Sequence, residues 1–131
     1  MKFFLRRHWR SSIWAIFILI VCLLPSDDFQ KIKFINIPFL DKYVHFTLYF
    51  IFSLLLISEN NRLKHRGSVT MTAMVIAALI SIFYGGFIEL LQLFLTSTRS
   101  AELSDFILNF FGFVVAAISY RWINRVTEGI I

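Results

Sequence analysis

The residues able to do chemistry fall in three short stretches. Glu89 and Gln92 are three apart, Asp105 and Asn109 are four apart, and Arg99 lies between the two pairs. On helices each pair occupies one face. Earlier in the chain, Asp41 and Lys42 precede His45. The spacing Lys42, His45, Tyr49 keeps one helical face, which Ser53 extends. Lys42 and Arg99 can bind phosphate or carboxylate. Glu89, Asp105 and Asn109 can orient those cations or take hydroxyl and amine groups. His45 beside Glu89 or Asp105 can serve acid–base chemistry.

The elements that carry these residues are apolar. The chain has 131 residues, which bounds it at a single domain, 1–131. It is 58% hydrophobic and 16% charged, with a mean hydropathy of +0.74. A soluble domain this small cannot hide that much apolar surface, so the expected partner is a lipid bilayer. The net charge is +5, but the cations sit in short segments between apolar runs. That is a topology signal and not a nucleic-acid patch, so no nucleic acid is expected. Cys22 is the only cysteine, which excludes an intramolecular disulfide and any Cys-based metal motif.

The apolar runs predict an all-α, polytopic membrane bundle of four transmembrane helices, at about 11–25, 41–58, 69–95 and 103–122. The first follows Lys2, Arg6, Arg7 and Arg10 and reads as an uncleaved span, because no A-x-A-like site comes after it. It is shorter than the ~20 residues a span usually needs. Trp9 and Trp14 are expected near the headgroups, and His8 and His65, which sit among basic residues, are expected to be solvated or to face headgroups. Residues 26–40 read as a segment lying on the interface. In the third span Ala77, Ser81, Gly85 and Glu89 repeat every four residues, a small-residue stripe leading to a carboxylate, and Gly86 adds room. In the fourth, Ser104 is a candidate N-cap and Asp105 suits the helix dipole. Asn109, Gly112 and Ala116 form a second small-residue seam. Tyr120, Arg121, Trp122 and Arg125 read as an interfacial anchor, and Tyr49 as a packing residue with a satisfied hydroxyl.

Cation counts predict orientation. The N-terminal segment has four, the 59–68 loop three, the tail two (Arg121 and Arg125) and the 96–102 turn one. Residues 26–40 hold Lys31 and Lys33 against Asp27 and Asp28. The richer segments belong in the cytoplasm, which places both termini inside. Asp41, Lys42, His45, Glu89, Gln92, Arg99, Asp105 and Asn109 then share the outer face. An Asp, Lys or Arg at mid-bilayer costs ~2.5–3.5 kcal/mol, so these groups must lie at headgroup depth or face inward and pair. Polar packing contacts alone return only ~0.6 kcal/mol each. A ligand-binding role is therefore preferred over polar glue. His45, Glu89 and Asp105 are metal-ligand types, but they come from three helices without an H-E-x-x-H spacing, so no metal is expected. The chain has no P-loop, dinucleotide fingerprint or G-x-S-x-G, and no cofactor is implied.

Asp41-Lys42-x-x-His45-Phe46-x-x-Tyr49, Glu89-x-x-Gln92, Arg99 and Asp105-x-x-x-Asn109-x-x-Gly112 follow in that order. Over residues 41–112 this pattern resembles the VanZ-like family of small bacterial membrane proteins. Two departures touch backbone geometry: Thr96-Ser97-Thr98 stands where the family often has Pro or Gly, and Ala116 where a second glycine is common. The resemblance implies a multi-pass protein of the bacterial cytoplasmic (inner) membrane. The founding member is associated with resistance to the glycopeptide teicoplanin, and the resemblance supplies no mechanism. The leading expectation is an envelope protein whose outward polar pocket binds a lipid headgroup, a lipid-linked cell-wall precursor or a glycopeptide. The rivals are a membrane enzyme using the same pocket, a small transporter or proton relay through Glu89, and a structural or assembly partner, with homo-oligomerisation open.

Overall fold

The computed structural model describes residues 8–24, 40–61, 69–95 and 102–126. They form four helices: α1 Trp9–Leu23, α2 Leu40–Asn61, α3 Met71–Leu95 and α4 Leu103–Val126. Three of these, α2, α3 and α4, are long and apolar enough to cross a membrane. At 22, 25 and 24 residues they extend about 33–37 Å, against about 30 Å of hydrocarbon. α1 has 15 residues and reaches only about 22 Å.

Helix ends differ from the sequence expectation for local reasons. α2 runs to Asn61 instead of stopping at 58. Glu59, expected in a loop, is buried. The Asn60 side-chain Nδ2 donates to the Leu56 carbonyl at 2.9 Å, and the Asn61 side-chain oxygen accepts from the Thr70 backbone amide at 3.1 Å. Thr70 then caps α3 by accepting from the Ala73 amide at 3.3 Å. α4 continues past 122 to Val126, and Tyr120, expected at the interface, is buried.

Small residues set how closely the helices approach. Gly112 on α4 lies against the backbone of α2. A Cβ there would stand 2.7 Å from the Phe46 carbonyl oxygen and 2.9 Å from the Phe50 nitrogen. On α3, Ala77, Ser81, Gly85 and Glu89 are all buried, as are Asn109, Gly112, Ala116 and Tyr120 on α4. Ser53 and Ser81 share a hydrogen bond of 3.0 Å between α2 and α3. Tyr49 fills the space beside Gly85. Its hydroxyl, expected to be satisfied, has no hydrogen-bond partner among the described residues.

The short α1 is held by polar groups along its length. Glu59 accepts from the Arg10 and Ser11 amides at 3.0 and 3.4 Å and from the Ser11 hydroxyl at 2.6 Å. These amides belong to the helix's first turn, where donors lack intrahelical partners. His8, expected to be solvated or to face headgroups, is instead buried with Nδ1 3.4 Å from Glu59. Trp14 is partly buried and donates to the Leu48 carbonyl at 3.0 Å. Tyr84 donates to the Ala15 carbonyl at 2.6 Å. At the far end the Gln92 amide donates to the Cys22 carbonyl at 2.9 Å, one of the orphan acceptors of the last turn.

The Gly112 contact yields a paired test. Gly112→Ala places a methyl against backbone, and the cost expected of such overpacking is about 1–3 kcal/mol. Gly86→Ala meets only the Phe106 ring edge at 3.8 Å and is expected to be tolerated. Denaturant unfolding of both variants in a mild detergent checks the contrast.

Candidate functional site

The polar cluster lies where α2 and α4 begin and α3 ends. It has an exposed rim and a buried floor. The rim is Asp41, Lys42 and Glu102, with side chains 47%, 25% and 47% exposed. The floor is His45, Glu89, Asp105 and Asn109, all buried. Each helix supplies its part through local position: residues of the first two turns of α2 and α4, and of the last two turns of α3.

Lys42 organises the rim. Its Nζ donates to Glu102 Oε2 at 2.9 Å and to the Ser104 hydroxyl at 3.1 Å. It also lies 3.5 Å from Asp105 Oδ1 and 3.9 Å from Asp41 Oδ2. This lysine, expected to bind an anion, is surrounded by carboxylates. Ser104, the expected cap, sits inside the first turn of α4 and donates to Glu102 Oε2 at 3.0 Å. The residue at the start of α4 is Glu102, whose carbonyl accepts from the Asp105 and Phe106 amides at 3.0 and 3.3 Å. Hydrogen bonds from Lys42 and then Ser104 hold the Glu102 carboxyl below the usual carboxylate range.

His45 occupies the centre of the floor. Its Nδ1 lies 3.2 Å from Asn109 Oδ1 and 3.9 Å from Glu89 Oε1, and its Nε2 lies 3.9 Å from Asp105 Oδ2. Glu89 Oε2 accepts from the Glu102 amide at 3.2 Å, which ties the end of α3 to the start of α4. His45, Glu89 and Asp105 each offer a ligand atom, and the three atoms lie within 4.8 Å of one another. Nothing in their sequence spacing announces this arrangement.

Lys42, His45, Glu89, Asp105 and Asn109 thus come together, with Asp41 at the rim. Gln92 is buried too, and one of its hydrogen bonds goes to α1. Arg99 lies outside the described residues. Sequence reasoning passed over Glu102, reading it only as the end of a turn. Its signal was its place immediately before an apolar helix, three residues from Asp105. Among the described residues the cluster carries four carboxylates (Asp41, Glu89, Glu102 and Asp105) against Lys42 and His45.

Apolar helices joined around a buried, charged cluster at one end define a multi-helix membrane protein. The chain belongs to the VanZ/LLP1 family, whose model matches residues 2–124. No curated protein and no solved structure matches the chain.

The rim predicts a pH dependence. The folded Glu102 carboxyl is depressed, so its pairing with Lys42 stabilises the fold above the unfolded carboxyl pKa of about 4.3. That contribution is lost as pH falls through the lower folded value. Lys42→Met is therefore expected to destabilise most near neutral pH. Its gap from wild type should close as pH falls toward about 3, and should narrow with added salt. Unfolding curves of both proteins across that range measure the gap.

Proposed function

We propose that this is an integral membrane protein of the bacterial cell envelope whose polar cluster binds the head of an amphiphile at the outer face of the cytoplasmic membrane. The observation that carries the reading is the convergence of Lys42, His45, Glu89, Glu102, Asp105 and Asn109 on one end of the bundle. Both termini lie in the cytoplasm in this reading, as the cation-rich segments require. So many ionisable groups exceed what helix packing asks for, and inward-facing ionisable residues mark sites by default.

The charge balance refines the ligand. Lys42 is already engaged by carboxylates. The excess carboxylate therefore suits amine and hydroxyl groups of the ligand, and Arg99 is the residue assigned to a phosphate or carboxylate. A lipid headgroup, a lipid-linked cell-wall precursor and a glycopeptide all offer such groups. A contribution to teicoplanin-type resistance would follow from binding either of the last two. The placement of His45 between Glu89 and Asp105 also supports a second reading, acid–base chemistry on the same amphiphile.

Mass spectrometry of lipids retained through purification in mild detergent tests binding. Wild type is expected to retain one lipid or lipid-linked species far above its membrane abundance, and Glu89→Gln and Asp105→Asn to lose most of it. Equal, unselective lipid in all three proteins contradicts the proposal.

A further inference from the structure

We infer that His45, Glu89 and Asp105 form a binding site for a first-row divalent cation, with Asn109 as the residue that orients the histidine. The three side chains come from α2, α3 and α4 and are 1%, 7% and 6% exposed. Their separations are the first support. His45 Nε2 lies 3.9 Å from Asp105 Oδ2. That is too long for a hydrogen bond, which runs to about 3.2 Å. Ligand atoms about 2.1 Å from a shared ion stand roughly 3–4.2 Å apart. Small side-chain movements bring atoms already within 4.8 Å of one another to that spacing.

The histidine's orientation is the second support. Asn109 Oδ1 can only accept, so at 3.2 Å it draws the proton onto His45 Nδ1. The lone pair then resides on Nε2, the nitrogen directed at Asp105. A ring nitrogen held by an oxygen acceptor while its partner faces a carboxylate is the arrangement of metal-ligating histidines. The third support is independent of the ligand distances. Asp105 Oδ1, on a residue more than nine-tenths buried, has no hydrogen-bond partner among the described residues. Lys42 Nζ lies 3.5 Å from that oxygen.

Electrostatics agree. Two buried carboxylates whose ligand atoms lie within 4.8 Å of one another repel, and a divalent ion turns that repulsion into attraction. One imidazole nitrogen with two carboxylate oxygens suits Zn²⁺ or Mn²⁺. Three protein ligands leave positions open for water or an oxygen of a bound head. The site stands without the amphiphile reading, because the ion alone can be titrated.

The test uses the full chain in mild detergent, stripped with EDTA and then titrated calorimetrically with Zn²⁺ and, separately, Mn²⁺. Wild type is expected to take up a single equivalent and to melt higher when loaded. His45→Ala and Glu89→Gln are expected to abolish uptake, and Asn109→Ala to weaken it about tenfold or more. Should a variant fail to fold, the wild-type titration still decides. Folded wild type that binds neither ion stoichiometrically, or shows no EDTA-reversible rise in melting temperature, overturns the inference. So does uptake that survives both ligand substitutions unchanged.

Discussion

The contact around His45 is the constraint on which the charged end of the bundle depends. Glu89 and Asp105 are carboxylates buried between helices, where an uncompensated charge costs several kcal/mol. They can stay there only if neighbouring helices deliver partners at fixed positions. α2 supplies His45 and Lys42, and α4 supplies Asn109 and the Glu102 amide. For His45 to reach Asn109, the backbones of α2 and α4 must nearly touch. Gly112, one turn below Asn109, is what permits that approach. Packing and polar chemistry are therefore one problem here: the glycine seam sets the distances at which the cluster operates.

The same rule governs α1 at both ends. A helix of about 22 Å cannot cross the hydrocarbon unaided. Its unpaired first-turn amides and last-turn carbonyls would lie in apolar surroundings, where such groups must be satisfied by protein. Glu59 from α2 meets the amides and Gln92 from α3 meets a carbonyl. Tyr84 and Trp14 add contacts between them. Glu59 thus serves as a cap provided by another helix, and Gln92, three residues after Glu89 on α3, holds the other end of α1.

Much of this was legible from spacing. Ala77, Ser81, Gly85 and Glu89 share a helical face at any tertiary arrangement, because four-residue steps depend only on the helix itself. The gathering of α2 and α4 starts with the α3 end follows from alternating spans. The four helices were legible as apolar runs, within a few residues at each end. What depended on a specific neighbour was hidden. Glu59 looks like a loop residue until α1 lies across it, and His8 looks solvated or headgroup-facing until the bundle closes over it. Lys42 looks like an anion receptor until Glu102 is seen beside it. The near-common focus of His45, Glu89 and Asp105 comes from three segments whose relative rotation no local pattern encodes.

The central claim is that the floor is a site and not a lock that holds the bundle together. Binding sites commonly sacrifice stability, whereas structural ion pairs supply it. The direct measurement is thermal and denaturant stability in mild detergent with EDTA present, comparing wild type with Glu89→Gln and Asp105→Asn. The account predicts that both neutralised variants are as stable as wild type or more so. A loss of about 3 kcal/mol or more in each, the range for breaking a buried pair, would contradict it and make the cluster a structural lock.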